Sequence, residues 1–151
     1  MTYEIITKRQ KRETSPLLRP DDAYNLIKRY RNSPQEQFIV ITLNGAHVPI
    51  SVSLASIGLV NRTIIHPREV FVRAIRDMAS AVIVCHNHPS GSLNASPEDN
   101  ELTERICKAG ELLGIHVIDH IIFTNTGYAS LRRAGYFKPK EEQWQPNSDT
   151  R

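Results

Sequence analysis

The chain has 151 residues, of which 40% are hydrophobic and 23% are charged, with two cysteines and a formal net charge of +3. This length fits one domain that buries its core without disulfide staples. Two cysteines do not make a disulfide framework, no apolar run has the length of a membrane span, and the first ten residues lack the apolar stretch of a secretory signal. We therefore expect a soluble, reduced, cytoplasmic protein.

The positive charge is concentrated near the N-terminus. Residues 1–33 carry a net charge of +4, whereas the remaining residues carry −1. We interpret residues 1–18 as a basic arm, whose cluster of cations is Lys8, Arg9, Lys11 and Arg12. We favour the interpretation that this cluster is exposed to solvent. The alternative is that it makes weak contact with nucleic-acid phosphates.

Strand-like and helix-like patterns alternate along the chain, which predicts an α/β fold. The first half predicts a short strand at 3–7 and then a helix that is capped by Asp21 or Asp22 and runs to about residue 31. A strand at 36–43 follows, with a tight turn at Asn44 and Gly45 and a second strand at 47–59 that has a bulge at Gly58.

The second half begins with a helix predicted over 67–80 and a buried central strand over 81–86. After a loop at 89–95, Ser96 and Pro97 are typical of a helix start, and Gly114 is typical of its end. The face of this helix predicted to be buried contains Leu102, Ile106, Ala109 and Leu113. Strands at 115–124 and 128–131 follow, and residues 138–151 are predicted to be a disordered tail.

The chemistry is concentrated at the end of the central strand. His86 and His88 are two residues apart, so their side chains share one face of the strand. Asp99 follows in the first turn of the next helix, where the intervening loop can fold it back beside the histidines. The alternatives are a polar histidine network and a simple capping role for Asp99.

Two histidines and one carboxylate make a familiar catalytic zinc set, with one zinc ion per chain and the fourth position left for water. Zinc lowers the pKa of a bound water to about 7, and a further carboxylate must accept the water proton. Ser96 is placed to donate a hydrogen bond to a developing oxyanion.

The same residues resemble a known family. His86, His88, Ser96 and Asp99 have the His-x-His-x7-Ser-x-x-Asp spacing of the JAMM (MPN+) metalloproteases. The surrounding motifs at 66–71, 86–91, 111–115 and 119–122 are similar to the bacterial RadC-like branch, and the resemblance runs from about residue 19 to residue 131. It implies a JAMM/MPN-like domain over 19–137, with a mixed sheet flanked by helices in a cytidine-deaminase-like layering. It also implies zinc ligation by His86, His88 and Asp99, with Ser96 on the oxyanion side.

The JAMM pattern also requires a glutamate on an early strand as the general base. Glu36 stands fifty residues before His86 and corresponds in order to the family's glutamate. Glu69 is the alternative, although its place in the first turn of a helix already explains it. We favour Glu36.

The resemblance implies a zinc-dependent peptidase or isopeptidase that acts on a protein or peptide. The alternatives are a DNA-repair-associated protein, either DNA-binding or a metal-dependent nuclease, and a non-catalytic interaction module. Full-length RadC proteins resemble a helix-hairpin-helix module followed by this domain. The residues that precede the domain here are too few for that module, which weakens the expectation of DNA binding.

Other residues have simpler interpretations. His66 is expected to help cap the helix that follows it, and Asp119 and His120 to form a buried pair that could support the metal ligands. His47 and His116 are assigned to strands as structural or surface residues. Cys85 should face away from His86 and is therefore a poor zinc ligand.

Overall fold

The computed structural model describes residues 15–57 and 65–136. Its strands are β1 (Gln37–Leu43), β2 (Pro49–Ile57), β3 (Ala81–Asn87), β4 (His116–Phe123) and β5 (Tyr128–Ser130), and its helices are α1 (Pro20–Ile27), α2 (Pro67–Arg76) and α3 (Pro97–Leu113). A short 3-10 turn, Lys28–Tyr30, follows α1. None of the described helices has the length and apolar character needed to cross a membrane.

The five strands form one mixed sheet in the order β2-β1-β3-β4-β5. The β3–β4 pair is parallel, and the other neighbouring strands are antiparallel. The central position predicted for the apolar run at 81–86 is confirmed, and every residue of β3 is buried. The α/β fold class is confirmed with it.

Helices cover both faces of the sheet. On one face, Val82 and Val84 pack in a cluster with α2 and α3. On the other face, Ile83 and Cys85 pack in a second cluster with α1. Alternate residues of β3 therefore enter two different cores, and the C-terminal end of this strand emerges between them.

The termini of α3 agree with the sequence. Ser96 is the N-cap, Pro97 begins the helix, and Gly114 adopts the left-handed conformation with a φ of 69°. Leu102 and Ile106 are buried as predicted, but Leu113 is 49% exposed, so its assignment to the core was wrong. Gly110 instead packs closely against the main chain of Ile115. A Cβ at position 110 would lie 2.5 Å from the carbonyl oxygen of Ile115.

Two helix boundaries differ from their predictions. Helix α1 begins at Pro20, and its N-cap is Arg19 and not Asp21 or Asp22. Asp22 lies inside the first turn, where its carboxylate accepts hydrogen bonds from the Leu18 and Arg19 N–H groups. Helix α2 ends at Arg76 and not at residue 80. Met78 has a φ of 51°, a left-handed conformation that a right-handed helix cannot contain.

The turn after β1 is longer than a two-residue hairpin. Leu43 pairs with Pro49, so five residues connect the strands. The Asn44 side chain accepts hydrogen bonds from the N–H groups of Ala46 and Val48 at 2.9 and 3.0 Å. The left-handed residue is His47, with a φ of 59°. His47 thus lies in the loop and not in a strand, whereas His116 begins β4 and is exposed.

Several predictions concern residues outside the described ranges. They are the strand at 3–7, the cations Lys8, Arg9, Lys11 and Arg12 of the basic arm, the bulge at Gly58 and the tail at 138–151. The end of the predicted arm is described, and there Leu17 is buried in the core with α1 and is not solvated.

Candidate metal centre

His86 and His88 meet at the C-terminal end of β3. Their Nε2 atoms lie 2.8 Å apart, and the two residues are 1% and 9% exposed. The main chain continues the sheet as far as His88, whose N–H donates to the carbonyl oxygen of Phe123 on β4. The predicted convergence of the two imidazoles is therefore present in the structure.

The loop after β3 sets the protonation of His88. Its Nδ1 lies 2.8 Å from the carbonyl oxygen of Ser92. A carbonyl oxygen only accepts hydrogen bonds, so Nδ1 carries a proton, and Nε2 is the ring nitrogen left to bind a metal ion. This Nε2 atom faces the Nε2 atom of His86.

Asp99 is folded back beside both histidines, as the sequence predicted. Its Oδ1 lies 3.3 Å from Nε2 of His86, and its Oδ2 lies 3.5 Å from Nε2 of His88. The carboxylate also accepts a hydrogen bond from the Ser96 N–H at 2.8 Å, while the Ser96 hydroxyl oxygen accepts from the Asp99 N–H at 3.1 Å. Asp99 thus belongs to a capping box and to the histidine cluster at once.

The Asp99 carboxyl is fully buried yet held as an anion. Burial acts to raise its pKa, but the hydrogen bonds and charges of His86 and His88 and the Ser96 N–H outweigh burial and place the pKa well below its usual range. A buried carboxylate beside two imidazole nitrogens requires positive charge, which protons or a metal cation can supply.

Glu36 also lies close to the two histidines. It precedes β1 and is half-buried, and its carboxylate forms a group with ring nitrogens of His86 and His88 in which the ligand atoms all lie within 4.8 Å of one another. Antiparallel pairing of Phe38 with His86 brings the start of β1 to the end of β3.

Asn87 holds the segment that carries Glu36. Its side chain points away from the histidines. Its Oδ1 accepts from the Gln37 N–H at 2.6 Å, and its Nδ2 donates to the carbonyl oxygens of Gln35 and Ser33 at 3.0 and 3.4 Å. This contact could not be predicted from local patterns, because its partners are main-chain groups 50 to 54 residues earlier in the chain.

The other glutamate considered from the sequence lies elsewhere. Glu69 Oε2 accepts a hydrogen bond from the His66 N–H at 3.2 Å, and His66 is the N-cap of α2, as expected. Glu69 also lines a groove between α2 and β2. The structure therefore gathers Glu36, and not Glu69, with His86 and His88.

His120 supports the cluster from β4. Its Nε2 lies 2.7 Å from Nδ1 of His86, and its Nδ1 lies 2.6 Å from the Thr103 hydroxyl. The Asp119 side chain lies on the opposite face of β4 from the His120 ring, and it accepts hydrogen bonds from the His120 N–H at 2.7 Å, the Ser130 hydroxyl and the Arg132 N–H. The expectation that one member of this pair supports a ligand applies to His120, and Thr103 is an addition that the sequence did not suggest.

These donors suit a metal ion. Two imidazole nitrogens and nearby carboxylates are typical zinc ligands, and a metal-dependent hydrolase needs a further carboxylate to move protons. Cys85 is excluded from this set because it packs in the core on the opposite face of the sheet, where burial and then the charge of Asp119 raise its pKa well above the usual value.

Comparison with known proteins gives consistent matches over the described domain. Residues 17–136 match the RadC-like JAB domain family. The chain is 46% identical over 119 residues to a UPF0758 protein of Staphylococcus haemolyticus, covering 78% of this chain and 52% of that protein. It is 48% identical over 102 residues to a UPF0758 protein of Methanospirillum hungatei, covering 68% and 45%.

A UPF0758 protein of Alkaliphilus metalliredigens is 47% identical over 114 residues, covering 75% of this chain and 49% of its own length. The chain thus spans about half the length of the curated relatives it matches. The family match covers most of the chain and contains every residue of the candidate centre, and the chain belongs to the RadC-like JAB domain family.

Proposed function

We propose that this chain is a zinc-dependent hydrolase of the metallopeptidase or isopeptidase type, which cleaves an amide bond of a protein or peptide. Family membership supports a metal-dependent hydrolase in general. The observation that carries the finer proposal is the gathering of Glu36, His86 and His88 at one point, with Asp99 against both histidines.

We assign the ligands to His86, His88 and Asp99. A bound zinc ion supplies positive charge that acidifies a water molecule and polarises the substrate carbonyl. The chain's own residues then account for the proton transfers. Glu36 accepts a proton from the attacking water and passes it to the leaving nitrogen, so the C–N bond breaks to give a carboxylic acid and an amine.

Ser96 completes the arrangement from the start of α3. Its oxygen already accepts the Asp99 N–H, and that bond leaves the hydroxyl proton available. We assign this proton to the oxyanion that develops on the carbonyl oxygen. The capping box thus holds the ligand Asp99 and the donor Ser96 in one fixed geometry.

A route to the site is present beside His88. A cavity of about 220 Å³ lies between the 31–34 segment, His88 and Asn125. The 31–34 segment in its wall precedes Glu36 in the chain, and His88 is the proposed ligand that borders it. Arg31 gives the cavity a positive charge.

Zinc analysis and product analysis test the proposal together. Protein purified without chelators should contain about one zinc per chain, and His88→Ala should lose it. Incubation of the loaded protein with a peptide library in H₂¹⁸O should yield new carboxyl termini labelled with ¹⁸O. Glu36→Gln, which keeps zinc, serves as the inactive control, and Glu98→Gln, at an exposed position of α3, serves as the matched active control.

The zinc assignment is wrong if unmodified protein binds no zinc. The peptidase assignment is wrong if the loaded protein cleaves no amide, or if Glu36→Gln cleaves as fast as the unmodified chain. Cleavage of DNA that is lost in Glu36→Gln would favour a nuclease, and weak DNA contact through Lys8, Arg9, Lys11 and Arg12 stays a prediction. Salt-dependent retention on DNA, lost on deleting residues 1–12, checks it.

A further inference from the structure

A buried chain of hydrogen bonds links the two elements that supply the proposed ligands. It begins at the main-chain carbonyl of Asp99 on α3, passes through Thr103 and His120, and ends at His86 on β3. Each of these four residues is at most 1% exposed. Water therefore does not compete for the polar groups in the chain.

The direction of each hydrogen bond follows from the chemistry of its atoms. The Thr103 hydroxyl lies 2.6 Å from the Asp99 carbonyl oxygen, which only accepts, so the single hydroxyl proton is used there. Towards His120 the same oxygen must act as the acceptor, at 2.6 Å from Nδ1. Nδ1 of His120 therefore carries a proton.

The same reasoning continues to the metal position. With its proton on Nδ1, a neutral His120 has a lone pair on Nε2, which accepts from Nδ1 of His86 at 2.7 Å. His86 then carries a proton on Nδ1, and Nε2 is the ring nitrogen left to bind a metal ion. This Nε2 atom faces Nε2 of His88 and the Asp99 carboxylate.

Aromatic packing keeps the rings in the required orientation. The Phe38 ring stacks on His86 with an interplanar angle of 10° and meets His120 edge-on at 70°. Phe38 is itself 2% exposed and pairs with His86 across β1 and β3. The two imidazoles therefore cannot rotate freely to exchange their donors and acceptors.

A register shift in β4 directs His120 to this face. Val82 pairs with Val117, but Ile83 pairs with Asp119, so β4 contains one extra residue at this point. Without the shift, alternation would put Asp119 on the α3 face and His120 on the opposite face. With the shift, Asp119 faces away and His120 reaches both Thr103 and His86.

We propose that Thr103 and His120 are positioning residues that hold a proton on Nδ1 of His86, so that Nε2 is always the ring nitrogen left to bind the metal. The role of the ion rests on the proposed function, whereas the proton on Nδ1 is a property of the metal-free chain. Residues that hold a ligand histidine in this way commonly contribute 10- to 100-fold to metal affinity.

The tautomer is tested first, in ¹⁵N-labelled metal-free protein. Long-range ¹H–¹⁵N spectra show which ring nitrogens of each histidine carry a proton. We expect a proton on Nδ1 of both His86 and His120, with Nδ1 of His86 only partly protonated in Thr103→Val and fully protonated again in Thr103→Ser. An unprotonated Nδ1 of His86 in the unmodified protein, or no change in Thr103→Val, would overturn the inference.

Zinc affinity is tested second, by competition with a chelator. Thr103→Val should weaken binding by about 10- to 100-fold, and Thr103→Ser should restore it. Thr42→Val is the matched control, because Thr42 is 0% exposed and bonds to Asp77 at 2.6 Å. An equal loss in Thr42→Val would show a merely structural effect and overturn the inference. If unmodified protein binds no zinc, the proposed function fails, and the metal-free spectra still decide the tautomer.

Discussion

The side chain of Asn87 accepts a hydrogen bond from the main-chain N–H of Gln37 at 2.6 Å. Because Asn87 lies between His86 and His88, this bond connects the histidines to the segment that carries Glu36. A second bond, from Asn87 Nδ2 to the Gln35 carbonyl, closes the contact on the other side of Glu36. The proposed base is therefore positioned by the same segment that supplies the two proposed histidine ligands.

Asn87→Leu should separate base positioning from metal binding. The substitution leaves the Gln37 N–H and the Gln35 carbonyl without their partner, so we expect the free energy of unfolding to fall by about 1–3 kcal/mol. Zinc content should stay near one per chain, while amide hydrolysis falls. Asn94→Leu, in the exposed loop, should change neither quantity. Full hydrolysis by a folded Asn87→Leu protein would show that the contact does not position the base.

The two glutamates should respond differently to the same substitution. Glu36→Gln should keep zinc and lose hydrolysis, because an amide cannot accept the water proton. Glu69→Gln should keep both, because its amide oxygen can still accept the His66 N–H. Turnover of the zinc-loaded variants checks this expectation, and the opposite pattern would assign the base to Glu69.

Asp99 should make the stability of the metal-free protein depend on pH. Its pKa in the folded protein is depressed, since the histidines and the Ser96 N–H outweigh burial, so the folded state favours the ionised form. The stabilisation is therefore present above the unfolded-state pKa of about 4 and is lost as the pH falls below it. Urea unfolding at pH 6 and at pH 3 should show a smaller loss for Asp99→Asn than for the unmodified protein. Equal losses would contradict the depressed pKa.

Ser96 has a capping role and a proposed catalytic role, and the substitution Ser96→Gly distinguishes the two. Replacing a capping serine with glycine costs only a few tenths of a kcal/mol, since glycine is tolerated at an N-cap. Loss of an oxyanion donor costs about 10²- to 10³-fold in rate. Ser96→Gly should therefore stay folded and bind zinc but hydrolyse amides about 100-fold more slowly. Unchanged rates would remove Ser96 from the chemistry.

Gly110 should tolerate no side chain. A Cβ there would lie 2.5 Å from the Ile115 carbonyl oxygen and 3.3 Å from the Phe71 ring. Overpacking of this kind costs about 1–3 kcal/mol, so Gly110→Ala should lower the melting temperature clearly. Gly127→Ala is the matched control, because nothing lies within 4 Å of its Cβ position. Equal stability of the two variants would contradict the close contact between α3 and the start of β4.

The ligand-bearing elements were predictable because local signals define them. An apolar, β-branched run predicts a central strand, and Ser96 with Pro97 predicts a helix start. Since the ligands are two residues apart on that strand and in the first turn of that helix, their convergence follows from the two elements. The resemblance then supplied Glu36, which no local pattern marks.

The supporting contacts depend on tertiary geometry and were not predictable in the same way. His120 reaches His86 only because of the register shift in β4, and alternation alone would place it on the opposite face. Nothing in the sequence around Thr103 distinguishes it from other helical residues, and its role depends on the contact with His120. The longer turn after β1 was missed because Asn44 organises it by side-chain bonds, with the left-handed conformation falling on His47.

Zinc K-edge X-ray absorption of the loaded protein tests the central claim most directly, because it reports the atoms bound to the ion. Ligation by His86, His88 and Asp99 predicts a four-coordinate shell of nitrogen and oxygen at about 2.0–2.2 Å, with the multiple scattering of imidazole. A sulfur neighbour at about 2.3 Å, or a six-coordinate shell of oxygen alone, would contradict this zinc centre.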